Sequence, residues 1–222
     1  DRQAPVATLV APAAGSVTNN DLGYADIHWT DVGLAGIDAA WLDATNVTIT
    51  GVTVDSAQIL GGGVVRYWYH DSMLAEGVVT VQVLADAVPD LAGNRNAAAS
   101  FSFTLDTQAP LGALVSPVPD SVINHDPGYV DIRWADQGLA GLDLTTLDTA
   151  DATVAGVVIS DLEILDGGVA RYWYRGSALT AGVLEVQMLA GAVLDLAGNP
   201  SAAAAASFTL DLSQPAGALI SP

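Results

Sequence analysis

The chain has 222 residues, no cysteine, and a formal net charge of −19 from 25 acidic and 6 basic residues. Disulfide staples are therefore excluded, and so acidic a chain cannot neutralise nucleic-acid phosphates. About half the residues are apolar, enough for a core, yet no run reaches the ~20 apolar residues that a membrane-spanning helix needs.

In chain order, the first repeat-length of sequence alternates short β-type runs with turn signals. VATLVAP, residues 6–12, is apolar and bounded by prolines, a first strand. YADIHWT, residues 24–30, alternates: Ala25, Ile27 and Trp29 point one way, and Tyr24, Asp26, His28 and Thr30 the other. A glycine-rich loop, DVGLAGID, follows with Asp31 and Asp38 at its ends. GIDAAWLDA, from Gly36, has the spacing of a helical turn, with Ile37, Trp41 and Ala44 on one face. NVTITGV, TVDSAQIL and VVRYWYH read as strands, and Gly61, Gly62 and Gly63 as a hairpin turn. GVVTVQVLA is the most regular strand, and the loop DAVPDLAGN precedes a last one, ASFSFTLD.

The pattern then begins again. DLAGN occurs at Asp90 and at Asp195, RYWY at Arg66 and at Arg171, and Trp29 returns as Trp134, always with an offset of 105 residues. No insertion is needed, and about half of the aligned positions are identical. A unit of this length is a small domain rather than a solenoid turn. The expected domains are residues 1–105, residues 106–210, and a third copy opening at residues 211–222. The alanine run Ala202–Ala206 aligns with residues 97–101 and is read as loop and strand entry. About seven short strands per repeat predict an all-β fold, two tandem immunoglobulin-like sandwiches.

The junctions DRQAP and LDTQAP, the loops DVGLAGID and DQGLAGLD, and DLAGN before the last strand resemble the bacterial immunoglobulin-like modules of large surface proteins and adhesins. The resemblance covers both repeats, except that the RYWY region has no counterpart in it. It implies an extracellular or cell-surface setting, long arrays in which neighbouring repeats are partners, and, in some members, calcium at module junctions. Cell-surface glycans or other surface proteins are the external partners it implies.

In a seven-strand sandwich the junction aspartate and the two loops converge at one pole. For the first repeat this gathers Asp1, Asp31, Asp38, Asp90 and Asn94, and for the second Asp106, Asp136, Asp143, Asp195 and Asn199. Of the 25 acidic residues only Glu76, Glu163 and Glu185 are glutamate. Aspartate is both a turn former and a ligand for hard cations such as Ca2+, so the loops read either as turns or as a calcium cage. RYWY also reads two ways. Arg66 and Trp68, with Arg171 and Trp173, either pack on the sheet or present an aromatic platform to a sugar. The three histidines are not duplicated: His28, His70 and His125 align with Arg133, Arg175 and Asn20. A histidine-based catalytic or zinc site would exist in one copy alone, so the expected role is non-catalytic, an extender or stalk module. The alternative is a carbohydrate-binding or accessory module of a secreted hydrolase.

Overall fold

A computed structural model describes residues 1–218. The chain divides into two compact units, Asp1–Thr107 and Gln108–Pro222. The first contains β1 (Val6–Ala11), β2 (Val17–Thr18), β3 (Tyr24–Thr30), β4 (Val47–Ile49), β5 (Ser56–Gly61), β6 (Val64–Trp68), β7 (Gly77–Val83) and β8 (Ala99–Leu105). They form two four-stranded sheets, ordered β1-β3-β6-β5 and β2-β8-β7-β4. The second unit repeats this with β9 (Leu111–Ser116), β10 (Val122–Ile123), β11 (Tyr129–Ala135), β12 (Ala152–Val154), β13 (Asp161–Ile164), β14 (Val169–Trp173), β15 (Gly182–Met188) and β16 (Ala204–Leu210). Its sheets are β13-β14-β11-β9 and β10-β16-β15-β12. Each unit is an immunoglobulin-like β-sandwich, all-β in class.

The period-2 pattern sets which side chains go inward. Ala25, Ile27 and Trp29 of β3 are buried, as are Val79, Val81 and Val83 of β7, while Thr80 and Gln82 face out. Tyr67 and Tyr69 fill the centre, and the Trp29 indole N–H donates to the Tyr67 hydroxyl at 3.1 Å. Trp134 repeats the bond to Tyr172 at 2.9 Å. Two glycines are dictated by close approach: a Cβ on Gly63 would lie 2.5 Å from the Trp29 carbonyl, and one on Gly168 2.7 Å from that of Trp134.

Two features differ from the sequence reading. The first strand of each unit is divided between the sheets, with β1 in one and the two-residue β2 in the other, paired in parallel with β8. The region after Gly36 forms two 3-10 turns, Ala39–Trp41 and Ala44–Asn46, in place of one helical turn. Asp38 caps the first and Asp43 the second, so each turn starts afresh. Ala204 onward is strand, as expected of the alanine run. Residues 211–218 carry no strand. The remainder of the expected third copy, residues 219–222, lies outside the described residues.

Candidate functional site

The carboxylates of Asp1, Asp31 and Asp90 come together at one pole of the first unit, with an oxygen from each within 4.8 Å of the others. Asp31 stands directly after β3, whose end pairs with the start of β1 (Val6 opposite Thr30), and this places Asp1 beside it. Asp90 arrives on the β7–β8 loop. That loop is tied to the Asp31 loop by Leu91 N–H on the Gly36 carbonyl and Asp38 N–H on that of Pro89.

Every carboxylate oxygen of the three already accepts a hydrogen bond. Asp31 takes the N–H groups of Gly33 at 3.0 Å and Gly36 at 2.7 Å. Asp90 Oδ1 takes those of Ala92 and Asn94 at 2.9 and 2.8 Å, and its Oδ2 takes the Asn94 Nδ2–H at 2.7 Å. Asp1 takes Gln3 N–H at 2.8 Å and Ala35 N–H at 3.0 Å. Burial pushes the Asp90 carboxyl up, but the bonds from Asn94, Ala92 and Gly93 outweigh it and hold the group below its usual range. These donors account for the glycine- and aspartate-rich spelling of both loops. Gly33 lies so close under the Asp1 carboxylate that a Cβ there would overlap it.

Two of the expected ligands are elsewhere. Asp38 is the N-cap of a 3-10 turn, accepting from Ala40 N–H at 3.2 Å, and Asp143 caps its own turn by accepting from Thr145 N–H at 3.0 Å. Each of these carboxylates is engaged with its own turn, and neither belongs to the trio of its repeat. Asn94 and Asn199 turn their amide N–H groups onto Asp90 and Asp195, both at 2.7 Å, so they brace those carboxylates as donors. In the second unit Asp136 accepts from Gly138 and Gly141 at 3.0 and 2.7 Å, and Asp195 from Asn199 N–H at 2.7 Å. Asp106 is the sequence counterpart of Asp1; its N–H bonds the Thr18 carbonyl at 2.9 Å, extending the β2–β8 ladder.

The donor set of the pole is oxygen only and anionic, the chemistry of a Ca2+ ligand set. Oxygens within 4.8 Å of one another can share one ion at roughly 2.3–2.6 Å. Asp1, Asp31 and Asp90 would be the residues to hold it, supplying part of the roughly six to eight oxygens that Ca2+ takes. Bound there, it would offset the mutual repulsion of three carboxylates and fasten the first strand to both loops.

Arg66 and Trp68 lie on the outer face of the β1-β3-β6-β5 sheet. Arg66 forms a two-point ion pair with Asp26, at 2.8 and 2.9 Å, and its guanidinium lies 3.5 Å from the Tyr24 ring centroid. Trp68 meets Tyr24 edge-on at 5.1 Å and stacks on His70 at 4.8 Å. His70 is in turn held by Asp55 at 2.9 Å. The second unit repeats the arrangement with Arg171 on Asp131, Tyr129 against Trp173, and Arg175 over the Trp173 ring at 4.6 Å. The aromatic faces are thus partly covered by the protein's own cations. The sequence reading missed Asp26 and Asp131; the available signal was an outward aspartate kept with RYWY at the same offset in both copies.

No known family profile and no curated protein matches the chain. Among solved structures it is similar to the N-terminal part of the bacterial S-layer protein SbsC, at 15% identity over 91% of this chain, TM-score 0.33. It is similar to Yersinia pseudotuberculosis InvD at 17% identity over 95%, TM-score 0.38, and to the protocadherin gammaB4 extracellular domain at 12% over 94%, TM-score 0.32. The chain spans 44%, 60% and 33% of those three chains, respectively.

Proposed function

We propose that the chain is a pair of non-catalytic extender modules from a long secreted or surface-anchored bacterial protein, and that the acidic pole of each repeat takes calcium. The carrying observation is the parallel pairing of the first and last strands of each unit. In the first, Gly15 N–H bonds Ser102 O at 2.7 Å, Thr104 N–H bonds Ser16 O at 2.8 Å, and Asp106 N–H bonds Thr18 O at 2.9 Å. In the second, Asp120, Thr209 and Asp211 repeat the set onto Ser207, Ser121 and Ile123. Tension on the two ends of such a repeat pulls these parallel strands past each other, so the bonds are loaded together in shear. The duplicated charged and aromatic groups meanwhile serve the fold: Arg66 on Asp26, Trp29 on Tyr67, and Asp31 and Asp90 on their loops.

Calcium is supported by the all-oxygen donor set of Asp1, Asp31 and Asp90. By the 105-residue offset, the corresponding set in the second repeat is Asp106, Asp136 and Asp195. The extracellular setting and the neighbouring repeats as partners belong to the same reading. A second reading, carbohydrate binding at Trp68 and Trp173, draws on the half-exposed outer-face rings, but His70 and Arg175 already stack there. Among the described residues no helix is long and apolar enough to cross a membrane. Stretching the chain between its ends tests the extender role. Each repeat should yield in one abrupt event releasing roughly 35 nm, the contour of about 105 residues; gradual extension without such events would refute it.

A further inference from the structure

Asn46 and Asp151 occupy the same place in the two repeats, just before β4 and β12, and both are buried. The Asn46 amide is used from both ends. Its Oδ1 accepts from Asp43 N–H at 2.8 Å and from the Tyr67 hydroxyl at 3.2 Å, and its Nδ2 donates to the Trp41 carbonyl at 3.0 Å. In the second repeat one oxygen, Asp151 Oδ2, takes over the two accepting roles, from Asp148 N–H at 2.8 Å and from the Tyr172 hydroxyl at 3.0 Å. By these matching bonds, Asp151 Oδ1 corresponds to the amide nitrogen of Asn46. An ionised carboxylate has no proton to give there.

Among the described residues the surroundings supply no counter-charge. Tyr172 comes from β14 and is itself bonded by the Trp134 indole of β11. From β15 the neighbour is Met188, paired opposite Ala152. Leu189 N–H, just beyond that strand, bonds the Asp151 main-chain carbonyl at 2.8 Å. The titratable groups facing Asp151 are therefore Tyr172 and, from its own turn, Asp148.

We propose that Asp151 is a proton switch confined to the second repeat. Uptake of one proton gives it the donor that Asn46 always has, and so tightens this sandwich in mild acid. The first repeat does not respond in this way. Burial, with the Asp148 charge adding to it, pushes the Asp151 carboxyl up to about 6 against the bonds from Asp148 N–H and Tyr172. Because this is above the ordinary 3.8, the folded state binds more protons than the unfolded one between the two values. The stabilisation is fully present below the lower value and is lost as pH rises through the upper.

The test uses the full chain, with carboxyl carbon NMR and exchange of the Trp29 and Trp134 indole protons as reporters of the two repeats. The Asp151 carboxyl should titrate near pH 6. From pH 7 to pH 5, after correction for intrinsic exchange, protection of Trp134 should rise about tenfold, with Trp29 unresponsive. Asp151→Asn installs the residue the first repeat already uses; it should raise protection of Trp134 at pH 7 to the acid level and abolish the response. A midpoint near 4, or an Asp151→Asn chain with unchanged protection and an intact response, would overturn the proposal.

Discussion

Asp26 and Arg66 stand directly opposite each other on β3 and β6, joined by two hydrogen bonds of 2.8 and 2.9 Å on the outer face of the sheet. The pair is largely shielded from water, with side chains 10% and 24% exposed, and Tyr24 covers the guanidinium. Removing one partner leaves a charge that water cannot fully recover. Asp26→Ala is expected to cost about 2–3 kcal/mol in denaturant unfolding. A double-mutant cycle with Arg66→Ala should return a coupling above 1 kcal/mol. Arg66→Lys should not rescue, because it lacks the two-point fork.

Trp29 and Trp68 of the first repeat should behave differently. Trp29→Ala empties the core between the sheets and should cost about 3–5 kcal/mol. Trp68→Ala removes an outer-face ring and should cost about 1 kcal/mol, from its contacts with Tyr24 and Arg66. Equal losses in thermal melts would place Trp68 in the core. Loss of glycan retention with an unchanged melting temperature would favour carbohydrate binding.

Much of this was legible in the sequence, for reasons that can be located. The alternation of Ala25, Ile27 and Trp29 fixes which face of β3 is buried, and the 105-residue offset carries that result to Val130, Ile132 and Trp134. β2 was not legible: two residues show no period, and only the parallel partner β8 makes them a strand. Asp38 and Asp31 look alike in sequence, yet Asp38 faces the free N–H groups of a 3-10 turn while Asp31 closes a loop back on itself. Asp151 reads as one more turn aspartate until Tyr172 is found above it.

Acid should act on the second repeat in two opposite directions. Burial pushes the Asp126 carboxyl up, but bonds from Leu179 N–H, Gly128 N–H and the Tyr174 hydroxyl hold it below the ordinary 3.8. Its stabilisation is therefore present above that value and lost as pH falls through the lower folded one. Asp151 contributes the reverse between about 4 and 6. The second repeat should be most stable at about pH 4, where the Asp151 gain is nearly complete and the Asp126 loss begins, measured by calorimetry across pH. Asp126→Asn should weaken its acid-side decline.

Calcium should bind chelator-treated chain with a dissociation constant on the order of 10⁻⁴ to 10⁻³ M. At ~100 times that concentration it should add about 2.7 kcal/mol of stability. Titration calorimetry of Asp31→Ala and Asp90→Ala should show the loss of one site, and Asp106→Ala and Asp195→Ala the loss of the other. Asp38→Ala and Asp143→Ala, which alter only turn caps, should leave binding intact. Identical melting in calcium and in chelator would reduce these loops to turn formers.

The most direct test of the extender role is how the first repeat resists force in two directions. The chain has no cysteine, so pairs of handles can be introduced cleanly. Pulling between the chain ends shears β2 against β8, with all their bonds loaded at once. Pulling between cysteines placed at Glu76 and Thr107 peels β7 from β8 one bond at a time, since Gly77 lies opposite Leu105. The extender role requires a severalfold higher unfolding force end to end than in the peeling geometry. Equal forces in the two directions would contradict it.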